Sequence, residues 1–301
     1  MKLDWKGILL WSNQFYGICA VLLAIESNVL LLHTMPNVFL LLFIHLATVL
    51  YYTHAYLKED QDGIYNERSK WYQKHQYYLK IRQVFYTIAC AWLIVVKLDA
   101  VRLFIHAALM IQITLLASVA ISAIYYLPNY PFFPFKSFRN KGILKSAGIA
   151  WIWTILCCMA PIWFSTSANF TEMLSSFPFW AHFIQLYFFI LILAILFDIK
   201  DLYRDKEAFV NTLVVKHGVD FTIHKIVLPL LLFRFLFTLV GHYWQGGGYM
   251  HLLSRLLILI LIYIVSRIIV RQKAIHINML LIDGLMIIKA ILSIGVAWLI
   301  H

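Results

Sequence analysis

Three carboxylates close a long apolar run in this chain: Asp198-Ile-Lys-Asp201-Leu-Tyr-Arg-Asp205. Spacing of i, i+3 and i+7 puts them within about 60° of one helix face, because each residue turns about 100°. Lys200 and Arg204 are expected on the opposite side. Acids one turn apart destabilise a helix by roughly 0.2–0.5 kcal/mol, and acids at its C-terminus oppose the dipole. A helix leaving a membrane towards the cytoplasm ordinarily carries cations there. A clustered acid face at that place therefore needs a partner. A hard divalent cation such as Mg²⁺, with a phosphate group behind it, is the chemistry such oxygen donors suit. The plainer reading is a solvated acidic turn at the membrane edge.

Other residues invite chemistry with an equally plain alternative beside each. Lys58, Glu59, Asp60 and Asp62 follow the second apolar run. They read either as a reduced second acid site or as an ordinary hydrophilic connection. Arg68, Lys74 and Lys80 lie among Trp71, Tyr72, Tyr77 and Tyr78, a composition that contacts phosphate or anchors an interfacial helix to headgroups. Asn13 falls inside the first apolar run, where a polar side chain must face the bundle. It bonds a neighbouring helix or touches a substrate. Arg234 and Lys289 are intramembrane cations, with either a functional role or a structural partner such as Glu26. The segment Tyr125-Tyr126-Leu127-Pro128, followed by Lys136, Arg139, Lys141 and Lys145, suits a bent interfacial connection with cations near headgroups or a phosphate. The four cysteines lie in apolar runs without metal-ligand spacing to histidine and read as small buried hydrophobes. Gly246-Gly247-Gly248 reads as a tight outside turn rather than a phosphate cradle.

The elements that must position these residues are membrane helices. Hydrophobic residues make up 62% of the chain and charged residues 13%, about half the charged fraction of a soluble domain, and the mean hydropathy is +0.80. Nine apolar runs are long enough to span a bilayer, roughly 8–33, 37–57, 82–98, 101–126, 146–165, 176–197, 223–242, 249–270 and 277–300. The third is the shortest. The net charge of +11 does not point to nucleic acid. Lysine and arginine sit in the connections 58–82, 136–145, 200–225 and 267–273, and the connections 34–36, 166–175 and 243–248 hold none. That alternation places the N-terminus in the cytoplasm and, with nine spans, the C-terminus outside. The first span has no small-residue cleavage site and reads as an uncleaved helix. A bacterial inner membrane, or an organelle, fits this layout. The expectation is an all-α polytopic membrane protein, one domain over 1–301, with its chemistry on the side of the long cytoplasmic connections.

At the acid cluster and beyond it, the chain resembles the UbiA superfamily of intramembrane prenyltransferases. That family's second aspartate signature reads roughly D-x-x-D-x-x-x-D and continues T-L-P-V-x-x-G. Here Asp198, Asp201 and Asp205 are followed by Thr212-Leu213-Val214-Val215-Lys216-His217-Gly218. Tyr125-Tyr126-Leu127-Pro128 and its basic continuation are similar to the family's tyrosine–proline connection. Nine helices, with long connections after the second, fourth and sixth, also agree. The first signature, roughly N-D-x-x-D-x-x-x-D, is altered. Alignment on Asn66-Glu67-Arg68 leaves Asp62 at its last aspartate, with His54 and Lys58 replacing its Asn and a middle Asp. Val214 stands where proline is usual.

The resemblance implies a nine-helix bundle that transfers an isoprenyl group from its diphosphate to an acceptor, aromatic or lipid, with Mg²⁺ as cofactor. It implies Asp198, Asp201, Asp205 and Asp62 as metal ligands. Lys58, Glu59, Arg68, Asn13, Tyr126, Arg139 and Lys141 are the expected substrate contacts. Aromatic faces would steady an allylic cation. The altered first signature leaves a second function open, a non-catalytic relative that binds an isoprenoid or lipid or serves as a scaffold. The catalytic base is not legible.

Overall fold

The computed structural model describes residues 5–59, 67–126, 142–166, 170–207, 210–245, 248–272 and 274–300. Every regular element among them is a helix. Eight are long and apolar enough to cross a membrane, so the protein is an all-α polytopic membrane protein. In hydrocarbon only intra-helix bonding can satisfy the backbone of such runs.

The chain opens with a π-helical turn, Lys6–Trp11, and continues as α1 (Gln14–Leu32), α2 (Val38–Glu59) and the short α3 (Glu67–Lys74). Then come α4 (Gln76–Lys97), α5 (Ala100–Ile105), α6 (Leu109–Tyr126) and α7 (Ile143–Ser165). The second half holds α8 (Phe170–Leu174), α9 (Phe177–Lys200), α10 (Leu202–Glu207) and α11 (Leu213–His217). It ends with α12 (Val219–Tyr243), α13 (Tyr249–Ile269) and α14 (Ile275–Ile300).

Helices α9 and α1 are the most enclosed of the eight and α4 is among the least. Helix α1 packs on α2, α7 and α14, and α9 packs on α7, α12 and α14. These two central helices carry bulky residues around most of their circumference, as helices buried on all sides must. The start of α9 is set by Ser176, whose Oγ accepts from Phe179 N at 3.4 Å, and by Pro178 in the first turn.

Three boundaries differ from the sequence expectation. The first span begins at Gln14 rather than near residue 8, because Asn13 adopts a left-handed conformation (φ 65°) and interrupts the helix. The third run, the shortest in sequence, extends back to Gln76 and is one of the eight crossing helices. The fourth run does not form one helix. It breaks after Ile105, and the side-chain amide of Gln112 donates to the freed carbonyls of Phe104 (2.9 Å) and Ile105 (3.2 Å). What remains, α6, is 18 residues, about 27 Å long at 1.5 Å per residue.

The intramembrane cation Lys289 has the partner the sequence suggested. Its Nζ lies 2.6 Å from both oxygens of Glu26, bridging α14 and α1. Lys289 and Arg234 both approach the ring of Phe189, at 5.4 and 5.3 Å. The four cysteines are free and buried.

Candidate functional site

A cavity of about 720 Å³ opens between α1, α2, α4, α5, α6, α7, α9 and α14, with Asp201 and Asp205 beyond the end of α9. Most of its wall is apolar or aromatic, with Tyr16, Tyr51, Tyr52, Tyr56, Trp153 and Phe197 among the rings. The rings brace one another. Tyr16 stacks on Tyr52 at 4.5 Å, and Tyr52 OH accepts from Trp153 Nε1 at 2.8 Å.

The acid face forms as the spacing predicts. Helix α9 ends at Lys200, Asp201 caps it with its N–H bonded to Phe197 O at 3.0 Å, and Asp205 N bonds Asp201 O at 2.8 Å. The chain thus keeps turning in the same sense, and Asp198, Asp201 and Asp205 all line the cavity. Asp198 and Asp205 are buried. Their mutual repulsion is relieved by a cation from another helix. Lys145, in the first turn of α7, places Nζ 2.8 Å from Asp198 Oδ1 and 3.4 Å from Asp205 Oδ2. Ser146 Oγ donates to the other Asp198 oxygen at 3.2 Å. Lys200 is not directed away from the acids, as helix geometry alone suggests. Its ammonium turns back to 3.4 Å from Asp201 Oδ1 and lies 4.6 Å over the Phe197 ring, because a buried ammonium needs both a counter-charge and an apolar cover.

The Thr212…Gly218 continuation has a local structural role. Thr212 is the N-cap of α11, its Oγ1 accepting from Val215 N at 3.2 Å, and Gly218 ends that helix at φ 84°, a conformation that favours glycine. Just before them, Asn211 O accepts from Gly142 N at 2.9 Å. This bond pins the start of α7, and with it Lys145, beside the acid segment.

Arg68 and Asn13 are brought together, but with each other rather than on the cavity wall. Arg68 donates to Asn13 Oδ1, while Asn13 Nδ2 donates to Tyr72 OH (2.8 Å) and Thr53 Oγ1 (3.1 Å). Arg82 joins the same hub through Ser12 O and Thr53 Oγ1, both at 3.0 Å. Arg68 stacks 3.5 Å over Tyr56, whose ring is part of the wall. Burial opposes the Arg68 charge, but the surrounding Tyr56, Tyr72 and Tyr16 oxygens more than offset it, so its pKa stays above the ordinary arginine value. Burial pushes the Tyr72 phenol up, and the Arg68 guanidinium pulls it partly back. Asn13 and Arg68 therefore hold α3 and the start of α1 behind the wall.

Helix α2 carries Lys58 and Glu59 at its end, and α6 ends at Tyr126. Asp62, Arg139 and Lys141 lie outside the described residues.

The donor set fits Mg²⁺ held together with a diphosphate. Among the described residues no three acids, histidines or cysteines are already grouped for one ion. Mg²⁺ on phosphate substrates, however, is held through one or two carboxylates, waters and the phosphates themselves. Asp201 and Asp205 would supply that number of hard oxygen ligands at one end of the cavity, where each now faces an ammonium, Lys200 and Lys145 respectively, at 3.4 Å.

Two features of the site escape the sequence reading. The pairing of Lys145 with acids 53 and 60 residues away is a product of helix packing. Asp283, a buried acid in the first third of the last apolar run, also lines the cavity. Its signal was present in the sequence, since an ionisable residue inside a membrane span is a functional candidate by default. Comparison with protein families, with curated proteins and with solved structures finds no match to this chain.

Proposed function

We propose that this protein is an intramembrane prenyltransferase of the UbiA type, moving an isoprenyl group from its diphosphate to an acceptor inside the membrane. One observation carries the reading. Three carboxylates and a lysine meet at one end of a cavity whose other walls are mostly apolar and aromatic. A charged head with an apolar tail matches that polarity, and the cavity is within the roughly 300–1,000 Å³ of small-molecule sites. Each buried CH₂ of the tail contributes about 0.8 kcal/mol.

Asp201 and Asp205 would hold Mg²⁺, which supplies Lewis-acid neutralisation of the departing diphosphate. Lys145 is close enough to add a point charge on the same group once it leaves the carboxylates. Tyr16, Tyr52, Tyr56 and Phe197 line the cavity and would offer aromatic surface to the positive charge that develops on the prenyl carbon. The apolar wall keeps water from that carbon. The positive-inside pattern goes with this reading and turns the acidic end and the N-terminus to the cytoplasmic side of a bacterial inner membrane, and with α6 as a ninth crossing beside the eight longer helices it puts the C-terminus opposite.

A second reading rests on Lys145 itself. Its ammonium already neutralises Asp198 and Asp205, as expected of a relative that binds an isoprenoid diphosphate without metal or transfer. Thermal stability of the purified protein with C10, C15 and C20 prenyl diphosphates separates the two. A ligand at about 100 times its dissociation constant stabilises by about 2.7 kcal/mol. A shift that requires Mg²⁺ and is lost in Asp201→Asn supports transfer. A shift independent of Mg²⁺ supports the non-catalytic reading. No shift with any of the three refutes both.

A further inference from the structure

Four acids are buried among the described residues: Glu26, Asp198, Asp205 and Asp283. Glu26 is paired with Lys289, and Asp198 and Asp205 share Lys145. Asp283 differs. It is fully buried, and neither side-chain oxygen has a hydrogen-bond partner. Leaving a buried carboxylate without a donor is costly, and evolution has ready alternatives in an apolar helix. The residue lines the cavity, so a donor can reach it from there.

Its position says what kind of donor. Asp283 is eight residues along α14 from Ile275, about 12 Å from that end of the helix. Asp198 is only two residues from the end of α9. Asp283 is therefore further from its helix end than Asp198 is, and the charges that face it are the Lys200 ammonium and the Arg68 guanidinium. Its neighbours include Met286 on the next turn and Cys19, whose Sγ approaches the Asp283 carbonyl at 3.5 Å. The stacked pair Tyr16 and Tyr52 and the ring of Phe197 share the same cavity. Aromatic rings lining the same cavity as a carboxylate that lacks a hydrogen-bond donor suit a flat aromatic ligand that carries one hydroxyl.

We propose that Asp283 binds the hydroxyl of an aromatic acceptor and takes its proton during transfer. This rests on the prenyl-transfer reading. The acceptor O–H bond breaks and its proton passes to an Asp283 carboxylate oxygen. The electron pair left on the acceptor oxygen forms the new bond to the prenyl C1. The bond from C1 to the diphosphate oxygen breaks, and its electron pair leaves with diphosphate.

The test uses 2-naphthol, and 2-methoxynaphthalene as the same ring body without the proton, on the detergent-purified full chain. Geranylgeranyl diphosphate with Mg²⁺ reports the donor end. The wild type binds 2-naphthol about 10- to 100-fold more tightly than the ether, as a hydrogen bond to a charged group allows. Asp283→Asn loses that preference, Asp283→Glu recovers part of it, and both variants keep the donor's thermal shift. Equal binding of the two naphthalenes by the wild type overturns the proposal, as does a preference that survives in Asp283→Asn. Loss of the donor shift in both variants overturns it in favour of a packing role. A wild type that discriminates the naphthalenes but ignores the diphosphate leaves the hydroxyl site standing and refutes prenyl transfer instead.

Discussion

Replacing Lys289 with methionine removes the cation held against Glu26 while keeping much of the side chain's apolar volume. The ammonium is 2.6 Å from both carboxylate oxygens, and the two side chains are 8% and 2% exposed. At an effective dielectric of about 20 their attraction is about 6 kcal/mol, most of which offsets the desolvation of both ions. Breaking such a pair from one side costs about 3–5 kcal/mol, because the surviving charge stays buried alone. Arg234, on the same Phe189 ring, and Arg255 are nearby cations that also feel Glu26 and can compensate, which favours the lower end of that range. Removing both charges, Glu26→Met with Lys289→Met, is expected to return the protein to wild-type stability or above it. Titration of the purified protein from mild detergent into dodecyl sulfate, followed by circular dichroism, gives the four stabilities of the cycle. A Lys289→Met protein within about 1 kcal/mol of wild type, or a double variant no better than the single one, refutes the reasoning.

Lys145→Met removes the ammonium that Asp198 and Asp205 share at the acidic end. We expect a loss of about 2–4 kcal/mol that millimolar Mg²⁺ partly restores, read as a Mg²⁺-dependent melting temperature absent from wild type. At Gly17 an added methyl group would meet the His45 ring at 2.5 Å and Val49 at 3.0 Å. Gly17→Ala should therefore cost about 1–3 kcal/mol by wedging α1 from α2, and His45→Ala should relieve the added strain. Asn13→Ala strands Arg68 and Tyr72 and strains a backbone at φ 65°. Asn13→Gly loses the same bonds but should be less destabilising by about 1 kcal/mol in chemical denaturation, since only the alanine pays for the left-handed conformation.

The long apolar runs are legible because a membrane span needs length and apolarity and little else. The converging acids are legible because i, i+3 and i+7 define a face on any helix. The break at Asn13 was not, since an asparagine inside an apolar run reads as a buried polar contact until Arg68, Tyr72 and Thr53 are seen to surround it. The break before α6 depends on Gln112 reaching back seven and eight residues, a side-chain choice that hydropathy does not encode. Lys145 looked like a headgroup anchor because its acids arrive from a different helix. Asp283 shares the last apolar run with Lys289, and a charge inside such a run is unusual in itself.

Helix α7 contains a π-helical turn, Ile155–Met159, between two α-helical stretches. Such a turn holds one residue more than the α-helix it interrupts. On its two sides stand Trp153, bonded to Tyr52 at 2.8 Å, and Ser165, bonded to Asn28 at 3.1 Å. The turn therefore works as slack in the chain length. Deleting one residue within 155–159 can convert the turn to α-helix and leave both of those partners in place. Deleting one elsewhere between Trp153 and Ser165 rotates everything beyond it by about 100° and breaks one of them, and deleting one before Trp153 turns Lys145 away from Asp198 and Asp205. Among the positions of this helix, shortening should be tolerated at the turn and nowhere else, so length variation in related sequences, or in a library of single-residue deletions, should concentrate there.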